Sequence, residues 1–337
     1  MAKNKFASPR PRNRALKKPD GAGHVIGVDI GGTNLRVALA NSNGEVLFKW
    51  STSTRRISSP QMVIQQIRAG VNQLLQHACV PRSSLLAAAA GAPGITDGET
   101  GIVFATSFLK GWKNVRLADL LRSALHVPAA VENDVKLAAI GEHWMGSARG
   151  NRNFVFLAIG TGIAAGIFVN GQLVRGKNCA AGEVGYMIVP GTSEAPVKRG
   201  MPGSLESVIG GDGIGTQWLR ACNGKHNSQP QDLTASEIFE HAVSGDRVAK
   251  SVLEHSARIL AYAVYNISVV LNTSLFVLGG GVGMSAPLLH ATQKILKQYD
   301  EPVLPKLITS RLGQDAQLMG AIRLALDKAE SRANSQR

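Results

Sequence analysis

The chain has 337 residues, 44% of them hydrophobic, and a formal net charge of +14. That length and apolar share can bury a large core in two domains or one bilobed unit, and the composition excludes collagen-like, coiled-coil and disordered classes. No apolar run is long enough to span a bilayer, and the opening "MAKNKFASPRPRNRALKKPD" lacks the apolar centre of a signal peptide, so a cytoplasmic protein is expected.

About half of the net charge lies in the first twenty residues, on Lys3, Lys5, Arg10, Arg12, Arg14, Lys17 and Lys18. With Pro9, Pro11 and Pro19 interleaved, residues 1–24 read as a disordered basic tail. A solvated extension and a weak, salt-sensitive contact with polyanions are its two readings. Cys79, Cys179 and Cys222 are few and far apart, which argues against a disulfide framework and suits a reducing compartment.

"VIGVDI", "LRVALA" and "EVLFKW" then read as three strands of an antiparallel meander. After Pro60, apolar residues from Met62 to Ala78 recur at helical spacing, and "LLAAAAGAPG" follows as a buried strand entering a loop. "PAAV" is a strand that gives way to a helix at Asp134, and the order is mixed α/β with a central sheet.

About 130 residues after the first strand the plan returns in "FVFLAIGTGIAAGIFVNGQLV". Gly31-Gly32-Thr33 aligns with Gly160-Thr161-Gly162, and Asn43-Gly44 with Asn170-Gly171, so two lobes share one design. Glycine turns let backbone N–H groups approach an anion, and two in matching positions suggest a nucleotide held by its phosphates. Gly31, Gly32, Thr33, Asn34, Gly160, Thr161 and Gly162 are therefore candidate nucleotide contacts. "LFVLGGGVG" ends a further strand in Gly279, Gly280 and Gly281, either a bed for an adenine or a plain strand-to-helix turn. Beside the first turn sits Asp29, which either faces Mg²⁺, directly or through water, or caps the turn. Residues 247–272 predict a long apolar helix, for the core or an interface.

The motifs "GVDIGGTNLRVAL", "GAPG", "VENDVKLAAIGE", "IGTGIAAGI", "AGEVG", "SLESVIGG" and "LGGGV", in this order, resemble the ROK family of repressors and sugar kinases within the actin-like ATPase superfamily. The likeness runs from about residue 25 to 328. It implies an α/β actin-like ATPase/sugar-kinase fold of two duplicated lobes flanking a cleft: a small lobe at 25–131, a large lobe at 132–313, a helix at 314–329 returning to the small lobe and a tail at 330–337.

It also implies ATP- and Mg²⁺-dependent phosphorylation of a hexose, glucose first, with Asp134 as general base. Gly91, Asn133, Asp134, Glu183, Tyr186 and Glu206 are the implied sugar contacts, and a homodimer is expected because homodimers are common in the family. Many members bind zinc with a His and three Cys, whose positions here are Tyr186, Val197, Arg199 and Ser204, so no zinc is expected. Phe108 stands where glucose-phosphorylating relatives have Asn, which leaves fructose, mannose, allose or an N-acetylhexosamine such as N-acetylmannosamine as alternative acceptors. Polyphosphate is an alternative donor, and a sugar-binding pseudo-enzyme or regulator is a further reading. The family's repressors carry a winged helix before the kinase-like part; about 24 residues precede the first strand here, so sequence-specific nucleic-acid binding is not expected.

Overall fold

A computed structural model describes residues 23–55, 59–106, 109, 111–197, 201–222, 232–299 and 304–335. The basic segment 1–22, Phe108 and Arg199 lie outside the described residues. The chain divides into two compact units, the first formed by Met1–Trp144, Gly176–Cys179 and Asp315–Arg337, and the second by Met145–Arg175 and Ala180–Gln314.

The first unit opens with β1 (His24–Ile30), β2 (Asn34–Asn41) and β3 (Val46–Ser53), the expected meander. α1 (Pro60–Ala78) starts where Ser59 accepts the Met62 N–H with Pro60 in the first turn, and stops at Cys79 in a left-handed conformation. β4 (Leu85–Ala92) then runs parallel to β1. β5 (Ile95–Asp97), β6 (Ile102–Ala105) and β7 (Lys113–Arg116) form a small antiparallel sheet that the sequence reading lacks. α2 (Leu117–Leu125), β8 (Ala129–Asn133) and α3 (Asp134–Met145) follow. The main sheet has the order β3-β2-β1-β4-β8.

The second unit repeats that order. β9 (Phe154–Ile159), β10 (Ile163–Val169) and β11 (Gln172–Leu173) form its meander. Next come α4 (Glu206–Ile209), α5 (Gly211–Cys222), α6 (Ala235–Val243), α7 (Arg247–Leu271), β12 (Leu275–Gly279), α8 (Gly280–Gly283), α9 (Ala286–Leu296) and β13 (Lys306–Thr309). The sheet order is β11-β10-β9-β12-β13, again two antiparallel pairings followed by two parallel ones. α7 buries Ala257, Leu260, Ala261, Val264 and other residues in this unit's core, while Val269 and Val270 near its end stay exposed. None of the helices among the described residues is long and apolar enough to cross a membrane.

α10 (Ala316–Ser335) belongs to the first unit and runs past residue 329, where the sequence reading ends it. No glycine or proline interrupts that last stretch, and Arg323 pairs with Glu330 at 3.5 Å along the exposed side. Leu318, Ile322, Ala325 and Leu326 pack with Val25, Ala38 and Ala89 on one face of the sheet, while α1 and α2 cover the other with Ile67, Val71, Leu117 and Leu121. α3 joins this unit instead of opening the second because it crosses α10 closely. A Cβ at Gly141 would meet the Ala316 carbonyl and one at Gly320 the Leu137 carbonyl.

Candidate active site

In the first unit, Asp29 lies at the end of β1 directly across from Arg36 on β2. Arg36 donates to Asp29 Oδ2 from Nε at 2.9 Å and from an Nη at 2.6 Å. Burial pushes the Asp29 carboxyl above its usual range, and the Arg36 charge and hydrogen bond pull against that. Arg36 also faces Asp315 at 3.9 Å, and Lys49 reaches Asp315 at 2.6 Å, so β2 and β3 are tied electrostatically to the start of α10. In the adjoining turn, Gly31 N–H donates to the Asn34 carbonyl, while Thr54 holds the Gly31 carbonyl with its hydroxyl and the Thr33 carbonyl with its N–H. Gly32, Thr33 and Asn34 are exposed. Neither Gly31 nor Gly32 has a positive φ, and nor do Gly160 and Gly162. At Gly31 and Gly162 the absent Cβ leaves room for the Asn34 carbonyl and the Glu206 carboxylate, so close approach, not a left-handed backbone, is what glycine provides there.

The second group of this unit sits where β8 becomes α3. Asn133 accepts the Lys136 N–H on its Oδ1 and donates from Nδ2 to the Gly94 carbonyl, both at 3.0 Å. Asn133 thus caps α3 and fastens it to the loop leaving β4, while Asp134 Oδ1 accepts the Val135 N–H at 2.9 Å. Gly91 pairs with Glu132 across β4 and β8, and its Cα faces Leu137, so this predicted residue flanks the Asp134 junction. Glu132 is fully buried and accepts the Asn133 N–H.

In the second unit a cavity of about 690 Å³ is lined by Gly160, Thr161, Gly211, Thr216, Gly281 and Val282, with Asp212 and the stretch 232–236 also at its wall. That volume lies in the range of cofactor-sized pockets. Of the three glycines that end β12 and open α8, Gly281 lines it and has open space where a Cβ would go. Gly279 is buried against the Phe156 ring, and Gly280 turns the chain with φ +80° under the Ile159 carbonyl. The strand-to-helix turn and the pocket wall are therefore one feature with divided duties. Asp212, Thr216 and the 232–236 stretch were missed by the sequence reading. Gly211, Gly213 and Gly215, alternating at the start of α5, are the signal that could have found this wall.

Glu206 accepts the Ile163 N–H on Oε2 at 2.9 Å, and a Cβ on Gly162 would lie 2.7 Å from that oxygen. This carboxylate therefore braces the second glycine turn with at least one oxygen. Glu183 precedes a short turn of helix at Val184–Tyr186, and Tyr186 is 52% exposed. Of the positions that hold zinc ligands in many relatives, Val197 is half-buried and Ser204 is 2% exposed with its hydroxyl unpartnered. Among the described residues no three His, Cys, Asp or Glu side chains gather as a metal site. Asp29, with one oxygen engaged by Arg36, fits a Mg²⁺ ion held through water and phosphates better than a cage of protein ligands.

The family model described as "ROK family" matches residues 25–328. A glucokinase of Halalkalibacterium halodurans is 31% identical over 308 residues, covering 88% of this chain and 92% of that one. The solved ROK hexokinase of Thermus thermophilus superposes with a TM-score of 0.75 at 26% identity, over 91% of this chain and 99% of that one. A ROK glucokinase of Streptomyces griseus, solved with glucose and AMPPNP, shares the fold at a TM-score of 0.73 and 24% identity, over 90% of this chain and all of its own. The duplicated sheets are those of the actin-like ATPase fold, and with a family model spanning nearly the whole described chain this protein belongs to the ROK family.

Proposed function

We propose that this sugar kinase moves the γ-phosphoryl group of ATP to the primary hydroxyl of a hexose, with glucose as the preferred acceptor. The observation that carries the reading is the β8–α3 junction. Asn133 takes the cap and the Gly94 carbonyl, so the adjacent Asp134 is presented by rigid elements and is not needed to cap the helix. A carboxylate placed there would accept the hydroxyl proton as the oxygen attacks phosphorus.

Gly160, Thr161 and Gly281 would receive the nucleotide in the cavity of the second unit, at the end of β9 and the start of α5. Gly31 to Asn34 would supply backbone donors to the phosphates. Mg²⁺ held through Asp29 would neutralise phosphate charge, and Arg36 limits how negative that corner becomes before the nucleotide arrives. Glucose is favoured by the glucokinase relative, whereas exposed Tyr186, in place of a family His, favours a second reading in which another hexose or an N-acetylhexosamine is the acceptor.

ADP release with MgATP over glucose, mannose, fructose, allose, N-acetylglucosamine and N-acetylmannosamine tests both readings. A dominant glucose signal supports the first, and a dominant signal from another sugar transfers the proposal to that acceptor. Silence with every sugar, repeated with polyphosphate as donor, overturns the kinase reading. The same reading takes the chain to be homodimeric, which light scattering on the purified protein checks.

A further inference from the structure

The two glycine turns are braced by different chemistry. In the first unit Thr54, a neutral residue, holds the Gly31 and Thr33 carbonyls with its hydroxyl and its N–H. In the second unit the corresponding turn is closed by the Gly160 N–H on the Gly162 carbonyl, and the next N–H, that of Ile163, donates to Glu206 Oε2 at 2.9 Å. A carboxylate beside a turn offered to phosphates is electrostatically unfavourable, and the first unit does the same work with a neutral side chain. The charge at Glu206 therefore calls for a second use.

Its surroundings show where that use lies. Leu205 and Ile209, on either side, are buried in the same core as Ile163, which sets Glu206 on fixed backbone. Gly211 N–H donates to the Gly160 carbonyl at 2.8 Å, so the stretch 206–211 meets the turn at both of its ends. A Cβ on Gly162 would lie 2.7 Å from Glu206 Oε2, and one on Gly185 would lie 3.2 Å from the same oxygen and 2.7 Å from the Ile163 carbonyl. Gly185 belongs to the short turn Val184–Tyr186 that follows Glu183. The Glu206 carboxylate thus lies against both the nucleotide turn and the segment that carries two implied acceptor contacts. Among the described residues no donor reaches its other oxygen, Oε1.

We propose that Glu206 is a positioning residue for the nucleotide as well as a contact of the sugar, with Oε2 holding the turn at residues 160–162 while Oε1 accepts a hydroxyl of the acceptor. The inference rests on the kinase reading above. A hydroxyl bound to one oxygen fixes the rotation of the carboxylate, and with it the place of the other oxygen. Acceptor and nucleotide then bind more tightly together than apart, each by the same factor. That coupling runs through one side chain within the second unit.

The test is calorimetry of MgAMPPNP binding to the full-length protein, with and without the sugar phosphorylated fastest. Glu206→Gln keeps an oxygen for the Ile163 N–H and Glu206→Ala removes it, while both variants carry the same charge, so their difference reports the brace alone. Without sugar, Glu206→Ala should bind the nucleotide about tenfold more weakly than Glu206→Gln. Sugar should tighten the nucleotide about fivefold or more in the wild type and leave it unchanged in Glu206→Ala. Equal nucleotide affinity in the two variants overturns the proposal, as does a sugar effect that survives in Glu206→Ala. If Glu206→Ala does not fold, Glu206→Asp decides: it keeps the charge but is one methylene shorter, so its nucleotide affinity should fall about tenfold below the wild type, and wild-type affinity overturns the brace. If the wild type binds the nucleotide but phosphorylates no sugar, the kinase reading fails and takes the Oε1 contact with it, whereas the nucleotide affinities still judge the brace.

Discussion

Asp134, Ser204 and His24 show how differently single polar groups act in this chain. Replacing Asp134 with Asn keeps the size and a hydrogen-bonding atom but removes the proton acceptor. Turnover should fall about 10²–10⁴-fold while sugar binding, read by calorimetry, stays close to wild type. Ser204 has the opposite character, because its buried hydroxyl finds no partner. Ser204→Ala should raise the unfolding free energy by about 1 kcal/mol in a denaturant titration, the penalty of a polar group left unsatisfied. His24 is buried beside the Ser84 hydroxyl at 3.0 Å, and burial lowers its pKa. A base with a depressed native pKa stays neutral when folded but takes a proton when unfolded. Its contribution is therefore complete above the ordinary value of about 6.5 and is lost as pH falls below it. Stability measured from pH 8 to 5 should decline over that window, and His24→Gln should flatten the slope.

At the scale of elements, the turn joining β12 to α8 separates folding from binding within two adjacent glycines. Gly280 needs its positive φ and has the Ile159 carbonyl in the place of a Cβ, so Gly280→Ala should destabilise the protein by about 1–3 kcal/mol. Gly281 has open space there and lines the cavity, so Gly281→Ala should melt like the wild type while raising the ATP KM severalfold. Thermal melts beside ATP titrations distinguish the two, and reversal of the pattern would remove Gly281 from the nucleotide wall. Such divisions are hidden in "LFVLGGGVG". Three identical residues carry no local mark of which one bends the chain, which one faces a Phe ring and which one faces solvent.

Taken whole, the molecule has two cores built on the same strand order, each sealed by its own helices. α10 closes one face of the first, and Ile322 is fully buried there. Ile322→Ala should cost about 2–5 kcal/mol, and hydrogen exchange should accelerate in β1, β2, β4 and α10 while β9 and β12 keep their protection. Uniform acceleration would mean that the two cores unfold as one.

The duplicated plan, the meanders, the long helix at 247–271 and the Asn133-Asp134 junction could be read from the chain, because alternation, helical spacing and glycine turns are local signals that repeat. By itself the sequence determined the family, the fold class and a set of candidate residues. Only the tertiary structure decided which partners those residues take: Arg36 on Asp29, Ile163 on Glu206, Asn133 as the cap, and Lys136 on a carbonyl 43 positions away. Strand register and helix crossing bring such groups together, and neither is written in any stretch short enough to be read alone.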